Sequence, residues 1–351
     1  MGNRKKTRVL TLFVAAAMIA PALAAASFAA AAHDLPVHLV DGVPDAYAKP
    51  GGKPGGGGDP PEQPAQVTPW GISQIGADGV WGHNTGSGIV VAVVDTGIQG
   101  DHPDLEGKVI GGVRFYTRGI WLHEDSKWAD DHGHGTHVAG TIAALNNEIG
   151  VVGVAPDVEF LAVKVLDKSG SGSWAGVAAG IDWAVENGAD VISMSLGGSG
   201  GSSVLATAVA NAISAGVIVV AAAGNSGDGS SSTTETSYPA AYNGVVAVGA
   251  TDSNNNVASW SSSASYIDVC GPGVSVLSTY KGSWYATMSG TSMATPHVAG
   301  TVALLLGTTP PEAYGSSWDS YEVSAFLSTN AVSIGAATNS CGGGLVDAGD
   351  Y

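Results

Sequence analysis

Positive charge is scarce in this chain. Thirteen Lys and Arg stand against 30 Asp and Glu, giving a net charge of −17 over 351 residues, and charged residues make up 12% of the total. That composition excludes a nucleic-acid partner and a basic membrane-binding face, both of which need clustered cations to meet phosphate. Acidic residues are still under a tenth of the chain, so the negative charge reads as a solubility feature. Cysteine is limited to Cys270 and Cys341. In an oxidising compartment they can pair, otherwise they are two isolated thiols, and spacing does not decide between these. No internal repeat is present, and after residue 32 no run is apolar enough for long enough to span a bilayer.

The one long apolar run comes first. Arg4, Lys5, Lys6 and Arg8 precede Val9–Leu23, and small residues follow to Ala30-Ala31-Ala32. This is the pattern of a secretory signal over residues 1–32, and the Ala-x-Ala-like end favours cleavage over an uncleaved anchor. Residues 33–64 read as a short leader and linker: Gly51–Gly58 and Asp59-Pro60-Pro61-Glu62-Gln63-Pro64 cannot pack a core. A single domain is expected over 65–351 in an exported, extracellular, monomeric protein.

Within it, Ile89–Val94 is a continuous β-branched run of the kind buried on both faces of a parallel sheet. It ends on Asp95-Thr96-Gly97, which places a carboxylate at the crevice where open α/β sheets bind ligands. Strands over Val158–Val165, Val191–Ser195, Val217–Ala223 and Val245–Gly249 alternate with helices over Trp174–Asn187 and Val204–Ala215. Short helical pieces over Trp70–Ile75 and Gly76–Trp81 precede them. The fold class is α/β: a doubly wound, mainly parallel sheet with helices on both faces, three layers in all.

Three segments carry chemistry. Asp131-His132-Gly133-His134-Gly135-Thr136-His137 holds three histidines, but no HExxH arrangement and no nearby Cys supports zinc. Small residues behind it describe a helix packed tightly on a sheet, with His134 at its amino end as a general base. Gly290-Thr291-Ser292-Met293 opens a second apolar helix, where a serine meets free backbone N–H groups and the positive helix end. Asp95, His134 and Ser292 together supply orienter, base and nucleophile for acyl transfer.

Val93-Val94-Asp95-Thr96-Gly97-Ile98, His134–Thr141 and Gly290–Pro296 resemble the three signature segments of the subtilisin-like serine proteases, in the family's order. The likeness runs from about Ala65 almost to the C-terminus. It implies a serine endopeptidase of broad specificity acting on proteins and peptides. It implies that Asn225, in Ala221-Ala222-Ala223-Gly224-Asn225, donates to the oxyanion together with the Ser292 backbone N–H. Gly170-Ser171-Gly172 and Ser195-Leu196-Gly197 become the two edges that clamp an extended peptide, and Trp174 lines the pocket four residues before the scissile bond. Gly224 keeps open the pocket for the residue just before that bond. Ser237 stands where many relatives have Gly, and Ser226 where some have Glu, so an uncharged, apolar or aromatic residue is expected there.

The same resemblance implies structural calcium, held by side chains of Gln66, Asp104 and Asn147 with carbonyls of Leu145, Ile149 and Val151. A weaker cation site is sketched at Asp268 with carbonyls of Ala240, Tyr242 and Val245. His297 reads as a core histidine, and Met293 as a thioether whose oxidation lowers activity. The segment 116–131 exceeds the simplest family members, and 33–64 is too short for a folded pro-domain. Two other classes compete. A non-catalytic peptide-binding module predicts a broken triad, and an esterase predicts Gly-x-Ser-x-Gly with Ser first. The intact Asp, His, Ser order disfavours both.

Overall fold

β-branched runs with no polar alternation can be buried only where both sheet faces are covered, and the valines of the central strand meet that condition. A computed structural model describes residues 63–309, 318–349 and 351, with the backbone of 37–39. The signal read over 1–32 and nearly all of the leader lie outside the described residues.

Strand β1 (Val37–Leu39) precedes helix α1 (Trp70–Gln74) and a 3-10 turn at Ala77–Gly79. β2 (Val90–Asp95) leads through a second 3-10 turn to the hairpin β3 (Val109–Arg118) and β4 (Trp121–Asp125). Next come α2 (His134–Ala143), β5 (Glu159–Lys164), the two-residue β6 (Ser171–Gly172) and α3 (Trp174–Glu186). β7 (Val191–Met194), the two-residue β8 (Leu196–Gly197), α4 (Ser203–Ser214) and β9 (Ile218–Ala222) follow. β10 (Val246–Thr251), β11 (Val269–Pro272) and the hairpin β12 (Val276–Tyr280) and β13 (Trp284–Met288) lead to α5 (Thr291–Leu306). The chain closes with α6 (Ser320–Asn330) and α7 (Thr338–Cys341).

The main sheet has eight strands in the order β11-β10-β9-β7-β2-β5-β3-β4. Every pairing in it is parallel except the β3–β4 hairpin at one edge. On β2, Val91 and Val93 pack with Val138 and Ile142 of α2 and Val298 and Val302 of α5. Ala92 and Val94 pack on the opposite face with Val177 and Ile181 of α3 and Leu205 and Val209 of α4. The doubly wound, three-layer arrangement expected from the alternation is therefore what forms. Burial of each such valine contributes about 2 kcal/mol.

The expected strands and helices form with ends shifted by one or two residues. Cys270 in β11 and Cys341 in α7 form a disulfide, with Cα atoms 5.1 Å apart. It ties the C-terminal segment to the sheet edge across 71 residues of sequence.

Candidate active site

The site begins with two neighbouring strand ends. β2 and β7 are parallel and pair Val93 with Ser193. Two residues further on, Asp95 and Ser195 leave the same edge of the sheet side by side. Each then fixes one part of the reactive group.

Asp95 holds His134. His134 Nδ1 lies 2.8 Å from Asp95 Oδ1 and 3.0 Å from Oδ2, and both residues have no exposed surface. A carboxylate can only accept, so Nδ1 carries the proton and Nε2 is left as the acceptor. Two glycines permit this approach. A Cβ on Gly135 would come within 2.1 Å of the Gly97 carbonyl oxygen, so a larger residue would hold α2 off β2. Gly133 takes φ +114°, a left-handed conformation that L side chains rarely adopt, to turn the chain into the helix. Asp130 organises the turn. Its Oδ1 accepts from the N–H groups of His132 and Gly133 and the Thr96 hydroxyl, and its Oδ2 from the Thr136 N–H and hydroxyl. It also sets a negative charge at the positive end of α2.

Ser195 holds Ser292. Ser292 Oγ donates to the Ser195 carbonyl at 3.0 Å, and Ser195 Oγ donates back to the Ser292 carbonyl at 2.8 Å. The second bond depends on Pro296. Inside α5 the residue at 296 would normally donate to the carbonyl at 292, but proline has no N–H, so that carbonyl is free for Ser195. Asn225 sits three residues beyond β9, the next strand over. Its Oδ1 accepts from the Thr291 N–H at 3.0 Å and the Thr291 hydroxyl at 2.9 Å. The oxygen accepts on that edge of the amide, and Nδ2 is its donor edge. The helices α2 and α5 pack against each other below the site.

The other histidines have separate partners. His137 Nε2 lies between the carbonyls of Val276 and Ala286, and burial pushes its pKa down to about 3. His297 Nδ1 meets the Met293 carbonyl at 2.8 Å, and burial pushes its pKa down to about 4. Met293 is fully buried one residue after Ser292. Lys164 was not singled out by sequence reasoning. It is buried, and its Nζ donates to Thr96 O, Leu166 O and Asp131 Oδ1 at 2.7–2.8 Å, tying three segments around the site. A lysine inside the apolar run Phe160–Val165 was the available signal, as was Asp130 four residues before a helix.

The clamp edges hold an unexpected strand. β1 from the leader lies between β6 and β8, antiparallel to both, with Val37 opposite Gly172 and His38 opposite Ser171 on one side. On the other side His38 is opposite Gly197 and Leu39 opposite Leu196. Gly170 leads into β6 with φ +72°. Trp174 begins α3 and is 1% exposed, within the apolar cluster of Leu166 and Leu196.

Beside Asn225 lies a cavity of about 260 Å³ lined by Gly197, Gly198, Gly224, Ser226, Ser237 and also Glu235. The sequence expectation of an uncharged occupant rests on Gly224, Ser226 and Ser237; Glu235 adds a charge which that expectation omits.

The residues expected around calcium are brought together. Gln66 Nε2 reaches both the Leu145 carbonyl at 2.8 Å and the Val151 carbonyl at 3.3 Å, so these two oxygens converge on one point. Asn147 Nδ2 donates to Asp104 Oδ1, and Asn147 Oδ1 accepts from the Ile149 N–H. Asp104 Oδ2 accepts from Val151 N–H and the Tyr285 hydroxyl, while burial raises its carboxyl pKa. Oxygen donors from one carboxylate, two amides and the loop carbonyls fit a hard cation. At the weaker site, Asp268 Oδ2 accepts from the Ala247 N–H and its Oδ1 from the Ser324 hydroxyl, and the Tyr242 carbonyl accepts from the Val245 N–H. Protein donors hold these oxygens much as they hold those of Asp104.

The long segment 116–131 forms the outer part of the β3–β4 hairpin and the loop after it. Arg114 pairs with Asp125 across its base, and the tip exposes Ile120 and Trp121.

A model of the subtilase family matches residues 86–344. Subtilisin Savinase of Lederbergia lenta is 51% identical over 287 residues, which is 81% of this chain and 98% of that protein. An alkaline protease of Alkalihalobacillus alcalophilus is 51% identical over 81% of this chain and 70% of its own length. A subtilisin of Bacillus pumilus is 49% identical over 274 residues, 78% of this chain and 94% of that protein.

Proposed function

The chain belongs to the subtilase family and is a serine endopeptidase, and on that premise we propose that Asp95, His134 and Ser292 are its catalytic triad. The observation that carries this is the buried His134 Nδ1 to Asp95 contact at the start of α2, with Ser292 held at the start of α5, the helix packed against it. Ser292 Oγ attacks the scissile carbonyl as its proton passes to His134 Nε2. Asp95 keeps the imidazole oriented and stabilises its cation. The oxyanion receives hydrogen bonds from Asn225 Nδ2 and the Ser292 backbone N–H. Collapse breaks the C–N bond, and His134 returns the proton to the leaving amine. Water then attacks the acyl-enzyme, losing its proton to His134, and the acid product leaves with Ser292 restored.

Specificity at the main chain comes from Gly170, Ser171 and Gly172 on one side and Ser195, Leu196 and Gly197 on the other, which pair with any extended backbone. The pairing of β1 with both edges supports a further reading, that the leader keeps the chain latent until it is cut. Gln66, Asp104, Asn147 and the carbonyls of Leu145, Ile149 and Val151 would hold calcium. The ion would supply positive charge to a desolvated carboxylate and tie the loop to the N-terminal segment. The signal pattern supports export, with protein substrates as partners and a monomeric enzyme. Among the described residues no helix is long and apolar enough to cross a membrane.

Casein hydrolysis tests the triad. It should be abolished by a serine-directed phosphonylating reagent and fall about 10⁶-fold in Ser292→Ala, the size of loss seen when subtilisin loses its nucleophile. Undiminished proteolysis in that variant ends the reading. Refolding of the mature chain should fail in chelator and recover with calcium; equal yields would remove the cation from the account. N-terminal sequencing of active enzyme should begin near Ala65, and an active form that retains Val37–Leu39 would refute latency.

A further inference from the structure

The cavity beside Asn225 has two walls. One is Gly197–Ser199, which continues β8 from the clamp, and the other is Gly224–Ser226, which carries the oxyanion amide. It therefore receives the side chain of the residue whose carbonyl meets Ser292. We propose that Glu235 in this cavity selects lysine or arginine at that position. The proposal rests on the endopeptidase reading above and names the substrate class of the same site.

The lining carries no hydrocarbon side chain. Gly, Ser, Thr and Asn form all of it except Glu235. A phenylalanine or leucine placed there would gain contact with peptide planes but would meet no apolar partner. A lysine or arginine can lay its methylene stem on the glycine faces and bring its cation to the carboxylate.

Glu235 is fixed in position. Its N–H donates to the Ser263 carbonyl at 3.0 Å, its Oε2 accepts from the Ser263 N–H at 2.8 Å, and its carbonyl accepts from the Tyr266 hydroxyl. Its other oxygen, Oε1, takes no hydrogen bond from the described residues, and no described Lys or Arg pairs with it. A half-buried carboxylate with one oxygen braced and one open has lost part of its hydration without gaining a counter-ion. A substrate cation supplies that counter-ion. The chain's net charge of −17 acts in the same direction by drawing basic peptides toward the surface.

The test compares kcat/KM for matched peptides with Arg or Leu before the scissile bond, in the parent enzyme and in Glu235→Gln. Glutamine keeps an acceptor for the Ser263 N–H, so the brace survives while the charge is lost. The Arg-over-Leu ratio should exceed one in the parent and fall roughly 10- to 100-fold in the variant, mostly through KM. Glu235→Lys, checked for folding by its thermal transition, should turn the preference toward Asp and Glu. A ratio unchanged in Glu235→Gln, or equal losses on both peptides, overturns the proposal and leaves the endopeptidase reading standing. A parent enzyme that cleaves neither peptide nor casein overturns both.

Discussion

The two sides of the cleft are built differently. On the side of the proposed triad, Asp95, His134 and Ser292 have no exposed surface, each is fixed by several hydrogen bonds, and glycine is required for α2 to reach β2. At the rim the two-residue strands β6 and β8 offer main chain, and the β3–β4 hairpin carries side chains as exposed as Ile120 at 90%. Buried packing dictates the chemistry and tolerates little change. The selectivity proposed for Glu235 would rest on a side chain that can change without disturbing that packing.

The disulfide gives the largest expected test of that contrast. Closing 71 residues by Cys270–Cys341 is worth about 4 kcal/mol in the chain-entropy account. In a Ser292→Ala background, which avoids autolysis, Cys270→Ser with Cys341→Ser should lower the urea midpoint accordingly. Rim-like behaviour, with no shift, would mean the C-terminal segment is not part of the rigid side.

Acid should also reach the buried side first. Burial holds the pKa values of His137 and His297 at about 3 and about 4, below the unfolded value near 6.5. The unfolded chain therefore binds more protons between those limits. The stability tied to the neutral rings is complete above pH 6.5 and is lost as pH falls toward 4. At pH 5 each ring costs about 2 kcal/mol relative to pH 7. Asp104 and Asp268, raised by burial, oppose this at lower pH. Urea midpoints at pH 7 and pH 5 should differ less in His297→Gln than in its parent.

Asn225→Ala should leave stability nearly unchanged and lower kcat by about 10²–10³-fold, the range known for the same donor in subtilisin. An equal rise in KM would show that the amide binds substrate instead of the oxyanion. The smallest effect belongs to the hairpin tip. Trp121 is 69% exposed, and Trp121→Ser should shift stability by less than about 0.5 kcal/mol in a thermal melt.

Much of the buried side was legible in the sequence because its constraints are local. Continuous valines ending on Asp95, and small residues behind His134, could only be a covered strand and a closely packed helix. The β3–β4 hairpin was not legible. Gly111 and Gly112 interrupt its pattern, and an exposed edge strand needs no apolar alternation to announce it. Helix α6 has a capping box at Asp319 and Glu322, a readable start that the weak apolar pattern behind it obscured. Glu235 was missed because a pocket wall is assembled from segments far apart in the chain.

On the latency reading proposed above, strand β1 is a competitor covalently tied to the cleft. Twenty-three residues, 40–62, join Leu39 to Gln63 at the edge of the described domain. An occupant tethered over so short a stretch acts at an effective concentration on the order of millimolar, whatever the protein's dilution. A free substrate must outcompete that level, so under this proposal the intact chain should stay quiet even when crowded with protein. A single cut in the tether converts that fixed local concentration into the bulk one, a fall of many orders of magnitude on dilution. Activation then needs no change in affinity at all; dilution of the released strand makes it irreversible.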